Sequence, residues 1–203
     1  MALLIIILTS VVVQAGCTTE EDRTQERGRD RTALPMTIEQ VAALPSLDQV
    51  HHWLKTAHEI GDRRLEQNSN LVNALDLPPY QLARPDSFEL DARAYDIKNG
   101  AMEGIGFVRS ALDKAAVVLD DVPGETGQVQ NFIGQAHVRL QAAYGEYAQS
   151  LDLIEQARAA LGAGNSTIAI RVRPEAVARA EAGNLAYGRA LDLIKQARRR
   201  LDR

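Results

Sequence analysis

Asp48, His51, Lys55 and His58 stand three or four residues apart, so on a helix they share one side. Aspartate and histidine at the Asp48-x-x-His51 spacing could hold a metal ion between them. A di-iron bundle needs Glu-x-x-His on two helices and two further carboxylates. This chain has a single Asp-x-x-His, and His137 stands alone. His58-Glu59-Ile60-Gly61-Asp62 has the outline of a His-Glu-x-x-His metal helix. Asp62 occupies the place of the second histidine, and two histidines one turn apart are what let such a helix grip a metal. The histidines therefore read as solvated surface side chains, and no metal site is assigned. Trp53 beside them reads as core or interface rather than part of a cofactor box. The sequence has no glycine-lysine phosphate loop, no nucleophile elbow and no Cys-x-x-Cys-His haem attachment. Gly104-Ile105-Gly106 follows no strand and is no dinucleotide fingerprint. The expectation is a chain without catalytic residues or cofactor.

The other residue with chemistry of its own is Cys17, the single cysteine, which excludes an internal disulfide. It follows an apolar run from Ala2 to Val13 and the small pair Ala15-Gly16. Twelve helical residues cover about 18 Å, whereas a bilayer span takes roughly 20 residues. The run fits the core of a cleavable leader. Ala15-Gly16-Cys17 resembles the lipobox of bacterial lipoproteins, with Gln14 where that family prefers Leu, Val or Ile. The resemblance implies a signal peptide over 1–16 and a palmitate-type acyl anchor on Cys17, with cleavage just before it. Two or more acyl chains anchor stably where one does not. Thr18 and Thr19 follow, not the aspartate that resembles an inner-membrane retention signal, so the resemblance favours the periplasmic face of the outer membrane.

Residues 17–36 read as the lipidated cysteine and a tether. Thr18 to Thr32 holds no apolar residue, cannot offset the entropy of ordering and should be disordered. The whole chain has 203 residues, a formal net charge of −4 and a pI near 5.6, which gives no basic face for nucleic acid. Aromatics are only 4%, and the abundance of Ala, Leu, Arg and Glu favours helix.

Residues 37–203 read as the helical domain. Thr37-Ile38-Glu39-Gln40 predicts a capping box and a short turn of helix. Ser46, with Gln49 three residues on, predicts the cap of a helix over 47–76 with the stripe Leu47, Val50, Leu54, Ala57, Leu65, Val72 and Leu75. Asn68-Ser69-Asn70 marks a weak point in it, and Pro78-Pro79 ends it. A second helix, capped by Asp86 or Ser87, carries Phe88, Ala92, Tyr95, Met102, Ile105, Val108, Leu112, Ala115 and Leu119. Gly100, Gly104 and Gly106 inside it signal close helix approach or a break. Pro123-Gly124 is a turn. A third helix runs over 126–162, with Val129, Phe132, Ala136, Leu140, Ala143, Tyr147, Leu151, Ile154, Ala157 and Leu161 on one face. Gly162 to Asn165 stops it. Ile168 to Val172 alternates like a short extended piece, and Pro174 opens the fourth helix, which carries Val177, Tyr187, Leu191, Ile194, Ala197 and Leu201.

Four such helices predict an all-α, up-down four-helix bundle. An alternative comes from an internal repeat. Tyr147 to Leu161 aligns without gaps to Tyr187 to Leu201, a period of 40. Gly145-Glu146-Tyr147 followed by Ser150, Ile154 and Ala157 resembles the second helix of a tetratricopeptide repeat, with Ser150 in place of the usual Ala, and that resemblance implies stacked helical hairpins. Arg198-Arg199-Arg200 and Arg203 read as cations complementing a helix end. The expected function is a lipid-anchored, non-enzymatic cell-envelope protein, attached to the membrane through Cys17, whose body binds a protein partner or braces an assembly. The alternative is a periplasmic ligand- or metal-binding helical bundle.

Overall fold

The computed structural model describes residues 36–75, 94–124 and 126–202. The leader, Cys17, the tether up to Pro35, the Pro78-Pro79 stop, the Asp86 and Ser87 caps, Phe88, Ala92 and Arg203 lie outside the described residues. From Ile38 onward the order is a short helix α1 (Ile38–Ala42) and a long α2 (Ser46–Leu75). A π-helical turn (Asp96–Met102) then runs into α3 (Glu103–Leu119), followed by α4 (Gly127–Gly162) and α5 (Ser166–Leu201). The described residues contain no strand, and the fold is all-α.

Each long helix packs against the next, and contacts across each pair run in opposite directions. Trp53 and Arg64 of α2 meet Lys114 and Gly104 of α3. Arg109 and Asp120 near α3 bond Gln141 and Gln130 of α4. Glu146 and Ser150 of α4 bond Arg179 and the Ala176 carbonyl of α5. The last helix also returns to the first: Gly61 packs against Leu191, and Leu65 against Gly188. The core this encloses runs through Val50, Leu54, Ile105, Leu112, Leu119, Leu140, Tyr147, Tyr187 and Ile194, each almost wholly buried. Every such aliphatic side chain contributes about 1.5–3 kcal/mol.

Several local expectations change. Gln49 does not complete a capping box with Ser46; its amide donates backwards to the Leu44 carbonyl at 2.7 Å, satisfying the end of α1. Asn68-Ser69-Asn70 does not interrupt α2, which continues to Leu75. Leu47 is exposed, because the helix start lies at the edge of the core. In the second long helix the buried positions step 97, 101, 105 through the π-helical turn and only then resume 108, 112, 115, 119. The wider turn moves the stripe by one position, so Ala94, Ile97 and Ala101 are buried while Tyr95 points outward and Met102 is half-buried. On α4 the core takes Ile133, Ser150 and Ala160 rather than Phe132, Leu151 and Leu161.

The largest correction concerns 166–172, which is helix and not an extended piece. Gly164 at φ +74° closes α4, with the Asn165 N–H on the Ala160 carbonyl at 2.8 Å and the Gly164 N–H on Leu161 at 2.9 Å. Asn165 then caps α5 at once, its side chain accepting from the Ile168 N–H at 3.3 Å. Pro174 consequently sits inside α5. It lies on an exposed face, where water can serve the carbonyl that proline leaves without a donor. The two copies of the 40-residue frame fall on α4 and α5, so the period measures one long helix plus its turn.

The antiparallel α4–α5 pair packs through small residues, Ala176, Ala180 and Gly183. A Cβ built on Gly183 would lie 2.8 Å from the Tyr147 ring, whereas one built on Gly134, on the outer face of α4, meets nothing. Gly183→Ala is expected to destabilise the fold by about 1–3 kcal/mol. Gly134→Ala is expected to stabilise it by about 0.4–1 kcal/mol. Urea titration followed by circular dichroism measures both.

Candidate functional site

The residues marked out as possible ligands do not converge. His51 faces Asp202, the residue that follows α5, at 3.7 Å, not Asp48. Lys55 pairs with Glu59 at 3.7 Å, and His58 lies 4.0 Å from Asp62 on its own helix. His137 of α4 faces Asp113 of α3 at 3.3 Å. Among the described residues no three His, Cys, Asp or Glu side chains are placed to share a metal ion. The histidines are half-buried rather than freely solvated, and His51, His58 and His137 lie where a second helix comes close. Trp53 is half-buried against the core, with His52 edge-on at 5.0 Å and the Lys114 ammonium 4.4 Å above its ring.

A different polar constellation occupies the core. Tyr147 of α4 is 1% exposed. Its hydroxyl donates to Asn184 Oδ1 of α5 at 2.5 Å and accepts from Asn68 Nδ2 of α2 at 3.4 Å. Three helices are thus tied at one oxygen. Burial pushes the Tyr147 hydroxyl well above the usual tyrosine range, the Asn68 bond opposes that shift and the neighbouring Tyr187 adds to it. The phenol stays neutral and keeps the proton it donates. Tyr187, in the corresponding position of the repeat, is fully buried and its hydroxyl has no hydrogen-bond partner. Burial raises it likewise, against the pull of Arg64. Ser150, where the repeat has Ala190, is also buried, and its Oγ donates to the Ala176 carbonyl at 2.7 Å.

This polar crossing ends in two clefts. Asn184 lines one of about 360 Å³ between α2 and α5, with His58, Asp62, Asp192 and Lys195. Asn68 lines the other, of about 560 Å³, between α2 and the π-helical turn. Arg64 and Gln67 form one wall of it, and Asp96, Asn99 and Glu103 the other. A Cβ on Gly104 would lie 2.9 Å from the Arg64 stem, so this glycine admits the arginine between the helices. Apolar spacing does not mark the crossing, because Tyr147 falls on an ordinary stripe and Asn68 reads only as part of a weak point in its helix. The available signal was a polar residue in phase with Leu54, Gly61 and Leu65, and a serine in the repeat frame where the other copy has alanine.

The chain matches no protein-family model, no curated protein and no solved structure. The site is therefore interpreted from its own geometry.

Two measurements test these assignments. Tyr147→Phe strips partners from both asparagines and is expected to cost about 1–3 kcal/mol, while Tyr187→Phe removes a hydroxyl that bonds nothing and is expected to be neutral or stabilising. Chemical unfolding of the two variants distinguishes them. The second measurement concerns His137, which burial holds below the ordinary value of 6.5, with Asp113 opposing that shift and Arg109 adding to it. The fold prefers the neutral ring, so its contribution is complete above pH 6.5 and is lost as the pH falls toward the folded value. Thermal melts are expected to show a smaller acid loss in His137→Gln and a larger one in Asp113→Asn.

Proposed function

We propose that the chain is a lipid-anchored, non-enzymatic protein of the cell envelope. Acyl chains on Cys17 hold it at the periplasmic face of the outer membrane. Its helical body serves as a protein-interaction or structural module. The observation that carries this reading is the order Ala15-Gly16-Cys17 at the end of an apolar leader, followed by a wholly polar stretch from Thr18 to Thr32 and then by the helical body. Two acyl chains, at about 0.8 kcal/mol per buried CH₂, suffice to keep such a body on its membrane. Among the described residues no helix is long and apolar enough to cross a membrane. The proposal places attachment at Cys17. For a partner, the body offers long helical faces that carry exposed Phe107, Val117, Val138 and Tyr144.

The test is the intact mass of the protein recovered from its native membrane. The expected species begins at Cys17 and carries added acyl mass, and Cys17→Ala is expected to leave the leader uncut and the chain unlipidated. A wild-type chain that retains Met1 and carries no lipid would overturn the proposal.

A further inference from the structure

The cleft between α2 and the π-helical turn is lined by two carboxylates and by a buried amide, Asn68. Asn68 is 2% exposed, and its Oδ1 has no partner. The orientation of the amide follows from the crossing behind it. Its Nδ2 donates to Tyr147, whose own proton goes to Asn184, so the oxygen is turned to the opposite side, 3.7 Å from where a Cβ on Gly100 would stand. The 2.5 Å separation between Tyr147 and Asn184 is an O–H···O distance, which supports that assignment. A buried acceptor left without a donor is costly, which favours a ligand that brings one.

On the facing wall, Asp96 and Glu103 both line the cleft, and neither has an ion-pair or hydrogen-bond partner among the described residues. Arg64, the one cation lining the cleft among the described residues, is turned to Gln67 Oε1 at 3.5 Å. Tyr95, 65% exposed, also lines the cleft. The backbone of this wall is a π-helical turn, an element frequent at functional sites and less tightly wound than α-helix. Seven residues separate the two carboxylates, about 10 Å along a helix axis. That separation suits an elongated ligand with charge at both ends better than a single metal ion, which needs its ligands around one point.

We propose that this cleft binds a linear diamine or polyamine through its primary ammonium groups. One ammonium donates to Asn68 Oδ1 and Asp96, and the other lies against Glu103. The methylene chain runs along the π-helical turn beneath Tyr95. The ligand supplies the donors that the fold leaves out. The inference uses residues of the helical body alone and holds whether or not Cys17 is acylated.

Isothermal titration calorimetry on the full chain in detergent, at constant ionic strength, tests this with spermidine, putrescine, glycine and magnesium chloride as separate titrants. The expected result is saturable one-to-one binding of spermidine or putrescine. That binding should weaken about tenfold or more in Asp96→Asn and in Glu103→Gln. Glu103 is exposed and Asp96 half-buried outside the core, so thermal melts should show these variants folded. Asn68→Leu is expected to abolish binding as well, and the carboxylate variants carry the test if that core change unfolds the chain. Absence of saturable amine binding would overturn the proposal. So would equal affinity in the Asp96→Asn/Glu103→Gln double variant, or binding of glycine or magnesium in place of the amines.

Discussion

The hydroxyl of Tyr147 governs how the long helices meet. It lies in the core, where an unpartnered polar group is costly, and it finds a donor on α2 and an acceptor on α5. Apolar contacts alone tolerate a helix sliding by a residue or rotating slightly. A hydroxyl that must meet Asn68 and Asn184 together does not. Gly183 makes the arrangement possible, since any larger residue there would meet the Tyr147 ring. Ser150, one turn along, adds a second link from α4 to the backbone of α5. The hairpin of α4 and α5 is thus set by polar contacts within an alanine-rich seam, and α2 is drawn onto it by the same oxygen.

The π-helical turn is the other place where the fold departs from a regular bundle. By spacing buried residues four apart over 97, 101 and 105, it turns Ile97 and Ala101 inward. It also presents Asp96, Asn99 and Glu103 along the cleft that Asn68 lines. The orphaned oxygen of Asn68 and the carboxylates of Asp96 and Glu103, which have no partner among the described residues, are two aspects of one local geometry. The helix widens beside a buried amide whose donor side is already engaged. Gly104, two residues past the turn, lets the Arg64 stem pass between the helices and brings α2 close to this wall.

The proposed anchor and the proposed ligand cleft belong to separate parts of the chain and rest on separate physics. One depends on the apolar leader and the thiol of Cys17, the other on hydrogen-bond groups that helix packing leaves unsatisfied. A body of this kind can be held at a membrane through Cys17 while its seams and clefts serve binding. The half-buried histidines fit the same picture. His51 reaches toward Asp202 at the end of α5 and His137 toward Asp113 of α3, which makes these two elements of the helix seams.

What the sequence by itself determined was the helical class and most of the core faces. Val50, Leu54, Ala57, Ile105, Val108, Leu112, Ala136, Leu140, Tyr147, Leu191 and Ile194 lie inside because a 3–4 spacing of apolar residues leaves an α-helix one face to bury. The stop at Gly162 to Asn165 was equally legible, since a glycine able to take positive φ is a local property. Other features were decided only in the tertiary structure. Ile168 to Val172 is helical because Asn165 caps it and because α4 offers a seam for Ala169 and Ala176, although its branched residues alternate like a strand. Tyr95 points outward because one wide turn shifts the stripe. The polar crossing was hidden because spacing shows which residues share a face but not which side chains on different helices meet. Asn68, Tyr147 and Asn184 are far apart in the chain, and only the packing of three helices brings their polar atoms within bonding distance.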